Sequence, residues 1–149
     1  MNKLFGLAGS AALEHQVVIA YLNTNINNII HFTNNNKFKG TLSTTETRFN
    51  FNTKQWKEPD VLIFEKNNSE NIIVWIEICK AKKLSEDKNK IDLIFKKNKF
   101  LKEGFVFDYE TNIWYKRTRN KDYFTSDNCT FLLNTNLSKL IYTVNRNIF

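Results

Sequence analysis

Pro59-Asp60-Val61-Leu62-Ile63-Phe64 and Ile72-Ile73-Val74-Trp75-Ile76-Glu77, separated by the polar stretch Glu65-Lys66-Asn67-Asn68-Ser69-Glu70-Asn71, decide the fold of this chain. Two β-branched and aromatic runs around an Asn/Ser cluster signal a β-hairpin. A turn pivoting at Asn68-Ser69 sets Asp60 opposite Glu77, Leu62 opposite Trp75 and Phe64 opposite Ile73, on one side of the sheet. Directly opposed residues have Cβ atoms about 4.5–5.5 Å apart. Two carboxylates that close, flanked by apolar pairs, repel each other unless a cation or a shared proton relieves them. Oxygen ligands of this kind suit Mg²⁺, so Asp60 and Glu77 are a candidate metal pair.

Upstream of the hairpin, Ser10 is placed to cap a helix that runs to about Leu22, with Leu13, Val17, Ala20 and Tyr21 on one stripe. Glu14 and His15 fall in its first two turns. Residues 33–40 are polar and read as a loop. Residues 41–52 alternate loosely, with Arg48 and Asn50 on the face opposite Phe49 and Phe51, and suit a strand.

Downstream, Ser85 is placed to cap a second helix over residues 86–102, whose apolar positions Ile91, Ile94, Phe95 and Leu101 follow helical spacing; Gly104 ends it. Residues 105–109 read as a buried strand, 110–112 as a turn and 113–116 as the hairpin partner. A polar turn over 117–122, one more short strand and a closing helix over 136–145 complete the chain. The order is helix, three strands, helix, two or three strands, helix. That order favours one α/β domain with helices on a mixed sheet.

At 149 residues and 42% apolar, the chain suffices for a single core. No apolar run is long enough to span a membrane and the N-terminus lacks the hydrophobic core of a signal peptide, so a cytoplasmic location is expected. Cys79 and Cys129 form no disulfide framework and no zinc motif. The net charge of +7 is compatible with a polyanionic partner. The abundant Asn residues are interleaved with aliphatic and aromatic positions, unlike a low-complexity tract.

Pro59-Asp60-Val61 opening one strand, Ile76-Glu77-Ile78 closing the next, Glu14-His15 in the first helix, the Asp87 to Lys90 spacing in the second and Glu103-Gly104-Phe105-Val106-Phe107-Asp108 after it share an order with a known family. Over roughly residues 10–142 the chain resembles the PD-(D/E)XK nuclease superfamily, which has the restriction-endonuclease-like fold. Within it, the chain looks like the Uma-type family of restriction endonucleases. The resemblance implies that Asp60 and Glu77 hold Mg²⁺ or Mn²⁺, with the Ile78 carbonyl a third ligand. It also implies that Glu14 faces the site from the first helix. It implies a DNA phosphodiester substrate cut to leave a 5′-phosphate, and it leaves room for a homodimer.

The pattern departs in one place. The usual (D/E)-x-K puts Lys two residues after the acid, and that position is Cys79. Lys80 points to the opposite strand face because side chains alternate. Lys90, from the following helix, is the expected substitute, with Lys80 the runner-up. The alternative function is a catalytically inactive nucleic-acid-binding or interaction module on the same fold. A purely structural protein is the third. Beside these stand blander assignments: Asp60 as a strand-entry residue, Glu77 paired with Lys80 or Lys82 at a solvated strand end and Glu14 as a surface acid. In the same vein, His15 is structural, Cys79 a small buried hydrophobe, Trp56, Trp75 and Trp114 are packing residues, and the lysines of 80–102 mostly form a solvated surface.

Overall fold

The computed structural model describes residues 9–32, 43–44, 49–50, 56–57, 59–65 and 68–141. Helix α1 (Gly9–Phe32) precedes three two-residue strands, β1 (Ser43–Thr44), β2 (Phe49–Asn50) and β3 (Trp56–Lys57). The hairpin follows as β4 (Val61–Glu65) and β5 (Asn68–Cys79). A 3₁₀ turn (Ala81–Lys83) leads into α2 (Leu84–Lys97), then β6 (Glu103–Asp108) and β7 (Ile113–Thr118). Short strands β8 (Thr125–Ser126), β9 (Cys129–Thr130) and β10 (Thr135–Asn136) come last, and residues 137–141 are helical.

One six-stranded sheet runs in the order β1-β4-β5-β6-β7-β8. Among the described residues only β5 and β6 pair in parallel, joined through α2; the other pairs are antiparallel. The sheet is therefore mixed, and its central strands are covered on both faces. Central strands so covered read as continuous apolar runs, which is the pattern of 61–64 and 72–76. On one face lie α1 and the 137–141 helix, packed on Val61, Ile63, Val74, Ile76, Ile78, Phe105 and Phe107. On the other, α2 sets Ile91, Ile94 and Phe95 against Leu62, Ile72, Trp75 and Val106.

The hairpin register is Val61↔Ile76, Leu62↔Trp75 and Ile63↔Val74, as read from the sequence. Beyond it the ladder shifts, so Phe64 pairs with Ile72 and not with Ile73. Ile73 is the inserted residue: it and Val74 both face α1, and its carbonyl accepts from Lys102 N–H. The strands also reach further into the expected turn, to Glu65 and from Asn68.

Helix α1 extends ten residues past Leu22, and its buried stripe is Val18, Leu22, Ile26 and Ile30, with Ile19 beside it. Leu13 and Ala20, expected on the buried stripe, are exposed. The Asn-rich second half has weak intrinsic propensity. Packing overrides it, and Asn25 donates to the Leu140 carbonyl at 2.7 Å. Most of the strand expected over 41–52 lies outside the described residues, as do the loop over 33–40, Arg48 and the second half of the closing helix.

Helix α2 ends at Lys97, not Lys102. Arg119 explains the stop, because its guanidinium donates to the carbonyls of Phe95, Asn98 and Leu101 and turns the chain there. Gly104 is consequently no helix terminator but a residue of β6. A Cβ on Gly104 would lie 2.5 Å from Ile91 Cγ2 and 3.1 Å from Phe95 Cε2, so α2 can sit down on the sheet only because that side chain is missing. Gly104→Ala is expected to cost about 1–3 kcal/mol, measurable as a lowered urea midpoint at unchanged slope.

Candidate metal centre

The end of β5 is where both helical layers meet. β4 begins at Val61, opposite Ile76, so Asp60 arrives just before the ladder starts. There its Oδ2 accepts the Ile78 N–H at 2.8 Å. In a strand the N–H and C=O of one residue point to the same side, so the Ile78 carbonyl shares that edge with Asp60. From α1, His15 Nε2 lies 3.3 Å from the same Asp60 Oδ2.

Glu77 alternates to the α2 side of β5 with Trp75 and Cys79. It is buried, with 2% of its surface exposed. Its Oε1 accepts from Trp75 Nε1 at 2.8 Å and from Lys90 Nζ at 2.8 Å. Lys90 is aimed there because α2 is held over β6 and β7. Ile91, Ile94 and Phe95 pack beneath it. At its flank Arg117 pairs with Asp92, and the Lys88 ammonium sits 3.9 Å from the Tyr115 ring centre.

These groups share a cavity of about 410 Å³, also lined by Cys79, Lys80 and Asp87. The Asp60 and Glu77 carboxyl groups are near enough for each to affect the ionisation of the other. Burial works to raise the Asp60 pKa, but the His15 and Ile78 hydrogen bonds outweigh it and hold the carboxyl below its ordinary value. Burial pushes Glu77 well up, against the Lys90 charge and with that of Asp60. Asp87 is pushed up to about 6, first by burial, with Lys90 opposing and Asp60 adding. Burial lowers Lys90, yet the Glu77 carboxylate more than compensates and raises it. A pocket in which the charges of Asp60 and Asp87 both add to the rise of the Glu77 pKa favours binding of a cation.

The structure thus brings Asp60, Glu77, Ile78 and Lys90 together. It does not bring Glu14. That side chain is exposed on α1, and its neighbour His15 reaches the site instead. His15, read from the sequence as structural or partly exposed and not named among the site residues, is the α1 side chain that meets Asp60. Lys80 lines the cavity, but the ammonium bonded to Glu77 is that of Lys90. Cys79 is buried as expected, and burial, with Asp87 adding, pushes its thiol up to about 12, so it carries no charge here.

The donor set fits a hard divalent cation in kind: two carboxylates and a carbonyl, each carboxylate with one oxygen fixed by two donors. Among the described residues no group of three or more His, Cys, Asp or Glu is placed to enclose a metal ion. Mg²⁺ needs no such cage, since it keeps several waters and is bound by one or two carboxylates.

The His15–Asp60 pair makes stability depend on pH in a stated direction. The Asp60 hydrogen bond raises the His15 pKa above 6.5, so its contribution is complete below 6.5 and lost as pH rises through the folded value. Asp60 is lowered below 3.8, so its contribution is complete above 3.8 and lost as pH falls through the folded value. His15→Ala is therefore expected to lower the unfolding temperature most between these limits and least in alkali. A wild-type-minus-variant difference that stays flat with pH would contradict the pairing.

A larger cavity, about 930 Å³, opens at the other end of the sheet beside Glu103, Lys116 and Thr118. Its buried charges are spent on each other, Lys116 Nζ lying 3.1 Å from Glu103 Oε1. Among the described residues no helix is long and apolar enough to cross a membrane. Comparison with family models and with curated proteins finds no match for this chain.

Proposed function

We propose that this chain is a metal-dependent nuclease of the PD-(D/E)XK superfamily, Uma-type, on the restriction-endonuclease-like fold, hydrolysing DNA phosphodiester bonds by water attack. The reading rests on one observation: Asp60, Glu77 and Lys90, distant in sequence, meet in one cavity at the end of β5. Asp60 and Glu77, with the Ile78 carbonyl, are the residues to hold Mg²⁺ or Mn²⁺. The cation supplies polarisation of the phosphate and a more acidic water.

The rest belongs to the side chains. Ile78 N–H and His15 fix Asp60, while Trp75 and Lys90 fix Glu77, as outer partners orient metal ligands elsewhere. The Lys90 ammonium, bonded to Glu77, is the group to meet the negative charge that develops on the phosphate, in place of the lysine that Cys79 displaces from the strand. Lys80, Lys82 and Lys83 at the cavity rim are available to the phosphate backbone. A homodimer, which lets two such sites meet two strands, belongs to the same reading.

The test is nicking of supercoiled plasmid by the purified chain. The nuclease reading expects nicking with Mg²⁺ or Mn²⁺ and none with EDTA. The neutral Cys79 at the usual lysine position favours the inactive-module alternative. That alternative expects salt-sensitive DNA retardation, indifferent to EDTA, and no nicking at any metal concentration.

A further inference from the structure

The proposed function gives the Asp87 side chain no role, although its spacing to Lys90 belongs to the pattern read from the sequence. It stands in the first turn of α2, three residues before Lys90, so the two share a helix face. It lines the cavity of Asp60, Glu77 and Lys90, and it is half-buried. Among the described residues its carboxylate accepts no hydrogen bond. The other acceptors are committed: Asp60 to Ile78 and His15, Glu77 to Trp75 and Lys90. Lys90 itself can only donate.

We infer that Asp87 accepts a hydrogen bond from the attacking water and orients it toward the phosphate, a role that rests on the proposed metal-site reading. The described residues place no third carboxylate to enclose a cation with Asp60 and Glu77, so Asp87 acts through water and not as a direct ligand. An acceptor is what such a water lacks: Mg²⁺ keeps several waters in sites of one or two carboxylates, and each has protons to donate. The half-buried carboxylate in turn gains the donor that the protein withholds from it.

The experiment compares Asp87→Asn with wild type and with Asp122→Asn, which removes the same charge from an exposed turn far along the chain. Mn²⁺ binding is read by calorimetry, and plasmid nicking by its kcat and KM. Asp87→Asn is expected to lower kcat by about 100-fold, with KM held within about threefold and Mn²⁺ affinity weakened by at most about tenfold. Its unfolding temperature stays at or above that of wild type, because no hydrogen bond is lost. Asp122→Asn is expected to match wild type throughout. A kcat within about threefold of wild type, a rise in KM alone, or an equal loss in Asp122→Asn overturns the role of Asp87. A wild type that binds Mn²⁺ without nicking overturns it as well. Failure of the underlying site reading looks different: wild type takes up no Mn²⁺, or Asp60→Asn takes it up as well as wild type does.

Discussion

Glu77→Gln is expected to lower Mg²⁺-dependent cleavage by roughly 10³-fold, on the order of 4 kcal/mol of transition-state stabilisation, in a protein that still folds. The amide keeps an oxygen that can accept from Trp75 and Lys90, so the packing of β5 against α2 survives. What disappears is the second negative charge beside Asp60, and with it the attraction for a divalent ion. Because burial and the neighbouring Asp60 make that charge costly without a cation, the metal-free variant should melt no lower than wild type. Single-turnover cleavage and a thermal melt check the two halves together. Cleavage within about tenfold of wild type would remove Glu77 from the chemistry.

Glu103→Ala carries the largest expected effect on stability, at the opposite end of the sheet. The Glu103 carboxylate, 3% exposed, accepts from Thr130 Oγ1 and Phe131 N–H at 2.7 Å each and pairs with Lys116. It pins the β9–β10 hairpin to β6. Truncation leaves the Lys116 ammonium, itself buried, with the Cys129 carbonyl at 2.6 Å and Asp127 at 4.0 Å as its remaining acid and carbonyl partners. Breaking a buried pair in this way costs about 3–5 kcal/mol. A drop of roughly 10 °C in unfolding temperature follows for a chain of this size. Cleavage assayed well below that temperature should hold, since Glu103 pairs with Val74 and Glu77 with Val106, several residues along the strands. A loss under about 1 kcal/mol would mean that Lys116 finds another counter-charge.

Much of this architecture could be read from the residues alone. The two apolar runs gave the β4–β5 register through Ile63↔Val74, and the Asp87–Lys90 helix gave the ammonium that meets Glu77. The bulge at Ile73 left no trace, because a run that is apolar on both faces looks the same with one residue inserted. The true length of α1 was hidden by Asn23, Asn25, Asn27 and Asn28, poor helix formers whose stripe of Ile26 and Ile30 is secured only by tertiary packing. Glu14 and His15 are adjacent, and a rotation of one residue decides which reaches Asp60. The spacing of His15 to Val18, Ile19 and Leu22, at three, four and seven residues, was the available signal. Gly104 reads as a helix stop by its type, but its reason for being glycine is Ile91, which no local pattern reveals.

The most direct test of the account is a crystal of the protein soaked in Mn²⁺ and examined by anomalous difference density. A peak is expected between Asp60 and Glu77, about 2.0–2.2 Å from an oxygen of each, with the Ile78 carbonyl beside it and Lys90 the nearest ammonium. A saturating soak that leaves that position blank while Mn²⁺ binds elsewhere, or the two carboxylates turned away from one another, would contradict it.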